Sequence, residues 1–600
     1  MSEIVLWLFF TQDYERQYID KGGNLMEDEY RSHKKYGKYS QEKSGGVLGK
    51  ILAVLATLAA AVLVFFVFRV NVLPVKYMAV VLGALVLMLL LAWIFVCLRP
   101  LPARLLGSLL SLAILAASCA GVYYINSTMK TLAVITNEAQ ETQAAEISGE
   151  TGEASEENEA EDAAETAKKV MLQTEEVSVV VLSGKTREDL ERETAESEEG
   201  EEDEEETTAA AETAPAIDVI TSVKELSGKK IGIQTVMLPE VTEKAVEQLK
   251  SEIGGDCETV DYAGMLDLVQ ALYDKEVDAI LLSESYRELV KDEHEDFDIE
   301  TAVIETMKFD FEIDMSKREK VDKNVTVEPF IVYLSGIDTF GSVAARSRSD
   351  VNILAVINPT TRQIMLVTTP RDYYVQLPVA GNAYDKLTHA GIYGIDASIE
   401  TLEQLYDINI DYYLRVNFTG FMDIVDALGG VDVNSDQAFT GEVYGVHFDE
   451  GINHVDGMGA LSFVRERHSF ANGDFERQRH QMEMIRAIIN KMHSPEMLLR
   501  YSDLMASLQE SFNTDLASTD LTDLVKMELD SSTDWNIKSY GVSGQGARRS
   551  TYSMGSRSLY VALQDEASIQ GAKERIQKVF DGEILTDADS QEGNQTNTLR

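Results

Sequence analysis

Arginine is the residue type whose placement suggests chemistry in the second half of this chain. Arg371 follows Pro370 directly after the apolar run Ile364–Thr368, Arg465 and Arg467 stand two apart after Leu461–Val464, and Arg477 and Gln481 stand four apart. A guanidinium stays charged and offers a planar fork that binds phosphate oxygens in pairs, whereas lysine acts as a point charge. Read as a strand, Leu461–Val464 sends Arg465 and Arg467 out on one face. Asp474 is placed to cap a helix in whose first two turns Arg477 and Gln481 share a face, near the positive end that welcomes phosphate. Arg371 projects from the carboxyl end of a strand, where open α/β sheets place ligands. Lys386, in a polar loop, is a weaker candidate for the same ligand. Asp338 follows the strand-like Phe330–Leu334 and Asp350 precedes Asn352–Ile357. Two such carboxylates, with phosphate oxygens and water, make the hard oxygen shell that Mg²⁺ prefers. Asp372 is expected only to support Arg371 by an ion pair.

These residues require a scaffold, and the pattern around them alternates strand and helix. Strands are expected at Phe330–Leu334, Asn352–Ile357, Ile364–Thr368 and Tyr412–Val416, and helices at Ile399–Tyr406 and Gly420–Leu428, the second ending at Gly429 and Gly430. The apolar run Ile353–Ile357 reads as a central strand covered on both faces. The fold class is therefore α/β, with a central sheet covered by helices.

At 600 residues the chain is too long for one core. Three apolar runs, Ile51–Phe68, Tyr77–Leu98 and Leu105–Ile125, are each close to the roughly 20 residues a helix needs to cross hydrocarbon. Basic residues from Arg31 to Lys50 precede the first run, and Arg99 and Arg104 lie between the second and third. The positive-inside rule then puts residues 1–46 in the cytoplasm, three transmembrane helices over 47–125, and all that follows outside a cell membrane.

The formal charge of -48 is concentrated in a spacer, since 27 acidic and 5 basic residues lie between Glu138 and Ala214. Residues 137–215 are expected to be a disordered acidic linker, because Glu, Ala and Thr bury too little apolar surface. So acidic a chain has no broad attraction for nucleic acid. The three cysteines are scattered and imply neither a disulfide framework nor a metal site. Residues 216–305 regain globular patterning, and their run from Val223 to Gln234, with Asp267–Leu272 and Val277–Ile280, resembles one lobe of periplasmic solute-binding proteins. A single lobe is expected to pack or space, to be dispensable for chemistry, and to leave a chain starting near Val327 able to fold. Residues 581–600 are expected to be a disordered tail.

Over residues 328–580 the words Gly336–Asp338, Arg348–Asp350, Asn358-Pro359, Pro370–Asp372, Asp385–Leu387, Tyr412–Phe418, Val425–Val433, Phe463–His468 and Asp474–Arg477 occur in order. In that set the chain resembles the LytR-CpsA-Psr family. The resemblance implies a phosphotransferase that moves a glycopolymer phosphate (teichoic acid, capsule or similar) from a polyprenyl-pyrophosphate carrier to peptidoglycan, with an apolar channel for the prenyl chain and Mg²⁺ as cofactor. It makes Arg371, Arg465 and Arg467 the candidate catalytic residues. With Lys386, Arg477 and Gln481 they bind the pyrophosphate, and Asp338 and Asp350 hold the metal. Two positions depart from the family pattern. His480 stands where a second arginine is common, with Arg479 available to compensate, and Phe340 stands two residues after Asp338 in place of another arginine. A pyrophosphate hydrolase and a non-catalytic membrane regulator are the competing readings.

Overall fold

The structure is a computed structural model that describes residues 45–70, 75–98, 100–135, 170–187, 219–314, 323–341, 343–470, 474–492, 511–531, 533–555, 557–591 and 595–596. Helices α1 (Gly45–Val70), α2 (Val75–Cys97) and α3 (Leu101–Ile135) carry apolar spans at Val47–Arg69, Tyr77–Cys97 and Leu101–Ser127, each long enough to cross a membrane. The helices through Tyr123 form one compact unit. Their contacts use small residues: Ala56 and Ala92 bury against Ile114, and a Cβ on Gly107 would stand 2.6 Å from the backbone nitrogen of Val96. Of the basic N-terminal residues that set the expected orientation, those from Arg31 to Lys43 lie outside the described residues.

The rest of the chain forms a second unit built around two large sheets. The first contains β1 (Val170–Leu182), β2 (Lys230–Ile233), β3 (Glu258–Asp261), β4 (Ala279–Ser283) and β5 (Thr301–Asp314), in the order β3-β2-β4-β1-β5. Strand β2 runs parallel to β3 and β4, while β1 runs antiparallel to β4 and β5. Helices α4 (Pro239–Ile253) and α5 (Met265–Tyr273) bury Val241, Ala245, Leu249, Leu268 and Leu272 against it.

This corrects the sequence reading at three points. The acidic spacer is not continuous from 137 to 215, because Val177–Val181, four valines and a serine, is buried between two strands. The lobe therefore begins at Val170 and ends at Asp314, where β5 completes its edge. Nor is the lobe a separable spacer, since Ile392, Met554 and Leu559 from the later domain sit in its buried core. Arg557 Nη2 also donates to Gln270 Oε1 at 2.8 Å, and a Cβ on Gly264 would come 2.7 Å from the Cα of Gly555.

The second sheet contains β6 (Phe330–Ile337), β7 (Ser349–Asn358), β8 (Gln363–Thr368) and β11 (Tyr412–Val416), while β9 (Tyr374–Leu377) and β10 (Ala383–Lys386), between β8 and β11 in the chain, pair only with each other. Short pairs β12 (Val431–Ser435) with β15 (Gly451–Val455), and β13 (Phe439–Thr440) with β14 (His447–Phe448), lie outside it. With β16 (Phe512–Thr514) and β17 (Asn536–Gly541) the order is β16-β11-β6-β7-β8-β17. Strands β18 (Gly544–Ser550) and β19 (Ser558–Gln564) form a further hairpin.

The period of two sorts the strand residues to opposite faces. Ile331, Tyr333, Leu354, Val356, Met365 and Val367 face α6 (Ile395–Tyr406), while Phe330, Val332, Ile353, Ala355, Ile364 and Leu366 share a core with Leu516. Both faces are covered, as the apolar runs predict. Further helices of this domain are α7 (Phe418–Ala427), α8 (Gly457–Arg465), α9 (Asp474–Met492), α10 (Ser518–Asp530) and α11 (Glu566–Phe580). Residues 493–510, which follow α9, lie outside the described residues. The expected disordered tail is corrected over 581–591: Leu585 is buried, its amide donates to Gln363 Oε1 at 3.0 Å, and Asp589 pairs with Lys578 at 2.6 Å.

Candidate active site

Strand direction gathers the expected residues at one end of the second sheet. Strands β6, β8 and β11 end there and the antiparallel β7 begins there, with Gly336 opposite Val351 and Ile353 opposite Thr368. Asp338 therefore leaves β6 beside Arg348 and Asp350 entering β7, and Arg371 leaves the turn after β8. Asn417, ending β11, caps α7 by accepting from the Gly420 amide and donates to the Gly341 carbonyl at 2.8 Å. That pins the turn after Asp338.

The side chains form one charged network. Arg348 pairs closely with Asp338, and Arg465 Nη2 stands 3.8 Å from the other oxygen. Asp350 takes Arg371 Nη1 at 2.5 Å, Arg477 Nη1 at 3.8 Å and the Thr388 hydroxyl at 2.8 Å. Asp372 takes Lys386 Nζ at 2.8 Å and stands 3.7 Å from Arg371 Nε. Five cations thus meet three carboxylates within this network, and the surplus is positive. Burial alone would raise the Asp350 carboxyl, but Arg371, then Arg348 and Arg477, hold it far below the usual carboxylate range. Asp372 is likewise drawn down to about 2 by Lys386 and Arg371 against its burial. Asp338 moves the other way: burial and then the neighbouring charge of Asp350 raise it.

Several expectations are corrected at the level of side chains. Leu461–Val464 is not a strand but the end of helix α8, which Asp456 caps by accepting from the Gly459 amide. Helical spacing buries Ala460, Leu461 and Phe463 together. Arg465 is the last residue of that helix and Glu466 is already extended, so Arg465 and Arg467 part company. Arg465 joins Asp338, whereas Arg467 Nε donates to His468 at 2.9 Å and is not among the contacts tying cations to the three carboxylates. Lys386 is not in a loop but ends β10, and Leu387–Ala390, the helical turn after it, carries Thr388 to Asp350. Asp474 does begin α9, and Arg477 and Gln481 are both buried on it.

His480 is fully buried, stacks on Phe463 at 4.1 Å, and is held down to about 4 mainly by burial, so near neutrality it is an uncharged packing residue. Arg479 does not stand in for a second site arginine, because it pairs with Glu476 and, at 2.5 Å, with Asp436.

Two site residues escape sequence reasoning. Arg348 lies inside a recognised word, yet nothing in its spacing distinguishes it from a solvated turn residue. Tyr444 accepts a 2.7 Å hydrogen bond from Arg465 Nη1 and comes from the β13–β14 connection, which carries no motif. The Arg465 guanidinium also lies 4.3 Å over the ring of Phe418, which meets the exposed Phe340 edge-on at 5.1 Å.

Asp338 and Asp350 fit a divalent cation by their chemistry. They are close enough for one charge to shift the other, and both offer hard oxygens. Among the described residues no three His, Cys, Asp or Glu side chains are grouped to hold a metal. An ion held here would take most of its shell from ligand oxygens and water.

The fold and site together define an α/β protein, preceded by three helices of membrane-crossing length, with a cation-rich cluster of side chains at a sheet end. The LytR_cpsA_psr family model matches residues 294–574. The polyisoprenyl-teichoic acid–peptidoglycan teichoic acid transferase TagU of Enterococcus faecalis is 36% identical over 221 residues, which are 36% of this chain and 70% of that protein. TagU of Bacillus cereus is 38% identical over 200 residues, 33% of this chain and 64% of its own length, so the chain spans a little under two thirds of that relative. The structure of B. subtilis TagV aligns with 42% of this chain and 98% of its own at 25% identity and a TM-score of 0.37. The chain belongs to the LytR-CpsA-Psr family.

Proposed function

We propose that this protein transfers a glycopolymer phosphate from a polyprenyl-pyrophosphate carrier to a hydroxyl of peptidoglycan, on the outer side of the membrane. The observation that carries the reading is the surplus of arginine and lysine around Asp338, Asp350 and Asp372 at one sheet end. The names of the TagU relatives, with their polyisoprenyl-linked donor and peptidoglycan acceptor, support the same chemistry. In the reaction the acceptor oxygen bonds to the phosphorus carrying the glycopolymer, the bond from that phosphorus to the bridging oxygen breaks, and the polyprenyl phosphate leaves. The acceptor's proton is released.

Charge grows on the leaving phosphate, and Arg371, Arg465, Arg477 and Lys386 are the groups that stabilise it. Arg348 holds Asp338, and Thr388 holds Asp350, so that neither carboxylate turns away from the ligand. Asp338 and Asp350 would hold Mg²⁺, which when bound offsets charge on the phosphate oxygens. Teichoic acid is the glycopolymer named for the relatives, and capsule remains a second candidate donor of the same chemical class.

The reading is tested by following release of polyprenyl phosphate from a polyprenyl-pyrophosphate saccharide with peptidoglycan fragments as acceptor. Asp338→Asn should raise the Mg²⁺ concentration for half-maximal rate about tenfold or more, because a neutral amide replaces one hard anionic ligand. An unchanged Mg²⁺ requirement removes Asp338 from the metal set. Equal rates with and without acceptor would convert the assignment to a hydrolase. Tyr444→Phe should lower turnover about tenfold, since it removes one hydrogen bond to a charged group. That loss should vanish when Arg465 is already alanine, and a full second loss in the double variant would separate Tyr444 from Arg465.

A further inference from the structure

We propose that Glu175, acting through Ser285, is a positioning residue for the phosphate site, by which the 170–314 lobe holds the 343–348 segment in place. The inference rests on the transfer reading for its effect on turnover, but not for the contact itself.

Ligands of open α/β sheets bind beyond the carboxyl ends of the strands, where the strand order reverses. In the lobe that place lies beyond β2 and β4, at Gln234 and Ser283–Ser285. The 343–348 segment of the other domain packs beside it. Ala345 bridges Thr174 of β1, the Arg346 amide donates to the Thr174 carbonyl at 3.3 Å, and the Arg346 guanidinium lies 5.5 Å over Phe311 of β5. From Arg346 the path to the site is two residues long. Ser347 donates to the Asp338 carbonyl at 3.0 Å, the Asp338 amide donates to the Arg348 carbonyl at 3.1 Å, and the Arg348 side chain pairs with Asp338.

Ser285 joins the two halves. Its hydroxyl lies 2.8 and 2.9 Å from the two oxygens of Glu175, which is 1% exposed, and 3.1 Å from the Arg346 carbonyl. Ser283 also contacts Glu175. One hydroxyl has one proton to give, and here it faces two acceptors. With Glu175 protonated, the carboxyl donates to Ser285 and Ser285 donates to Arg346, so every group is served. With Glu175 ionised, the carboxylate takes the Ser285 proton and the Arg346 carbonyl loses its donor.

The groups facing Glu175 are Ser283, Glu284, Ser285 and the buried Tyr286 from the lobe, and Arg346 from the other domain. Across the sheet it registers with Phe309, whose neighbours Lys308 and Asp310 are engaged by Glu176 and Thr174. Burial raises the Glu175 carboxyl to about 7, and the serines and Arg346 only partly oppose this. A carboxyl raised in the closed state favours closure at low pH and loses that contribution as pH rises through about 7.

The test uses the full chain, with Glu175→Gln and Ser285→Ala, and reads amide hydrogen exchange over residues 343–348 at pH 6 and pH 8 beside turnover. Each variant is compared with the parent at the same pH. Glu175→Gln, which keeps a donor to Ser285 at every pH, should match the parent at pH 6 and exchange about tenfold more slowly at pH 8. Ser285→Ala should exchange faster than the parent at pH 6, with turnover there down about tenfold, and close to the parent at pH 8, where the parent's Arg346 carbonyl has already lost its donor. Identical exchange in all three chains overturns the inference, and so does altered exchange with Ser285→Ala turning over like the parent. The expected exchange pattern in a parent chain that releases no polyprenyl phosphate keeps the contact and defeats the transfer reading instead.

Discussion

Replacing Arg371 by alanine should lower transfer by on the order of 10²–10³, the usual cost of removing one preorganised donor from a developing anion. Arg371 is chosen because it serves two carboxylates, at 2.5 Å to Asp350 and 3.7 Å to Asp372, with its side chain 11% exposed. Its loss leaves Asp350 with Arg348, Arg477 and Thr388, so the folded protein survives with a destabilisation of about 1–3 kcal/mol. The variant should also lose stability earlier on acidification. The depressed Asp350 carboxyl contributes stability that is present above its unfolded value and lost as pH falls toward its folded one, and removing the first of its cations moves the folded value upward. Arg371→Lys should recover much of the stability but little of the rate, because an ammonium cannot span two phosphate oxygens. The measurements are single-turnover release of polyprenyl phosphate and thermal melting. A normally melting Arg371→Ala that transfers at the parental rate takes Arg371 out of the site.

A chain beginning at Val327 should fail to form a stable fold, contrary to what its sequence implies. Removing the lobe uncovers Ile392, Met554 and Leu559, which are buried to 0–3% exposure in the shared core. Each large apolar side chain returned to water costs about 1.5–3 kcal/mol. Three of them approach the whole stability of a domain, roughly 5–15 kcal/mol. The truncation also removes Gln270 from Arg557 and Thr174 from Arg346. The expected result is aggregation or a melting transition lower by more than about 10 °C. A truncated chain that melts within a few degrees of the full chain would show that Ile392, Met554 and Leu559 are covered without the lobe.

Much of the fold is legible in the chain because hydrophobic periodicity reports burial directly. Tyr412–Val416 is found with its predicted bounds, and Gly429 and Gly430 adopt the positive φ of 78° and 83° their position after a helix suggests. The three membrane-length helices follow from length and apolarity alone. The strand reading of Leu461–Val464 failed because three apolar residues and a serine are too short a stretch to carry a period, and the Asp456 cap five residues upstream decided for helix. The missed strand Val170–Leu182 lay in an acidic context whose composition outweighed a six-residue apolar run.

What the sequence determined by itself is therefore the element types, the family words and the identities of the phosphate-directed arginines. The tertiary structure decided which of those arginines meet, and which carboxylate each one serves. Arg465 and Arg467 are two apart in sequence yet separate at a helix end, while Arg465 and Tyr444 are 21 apart and hydrogen-bonded. Only the folded chain brings Glu175 to Arg346, 171 positions later, through Ser285. Local periodicity fixes the direction of a side chain from its own element. Which elements lie beside one another is set by the burial of whole faces, and no short window of sequence contains that.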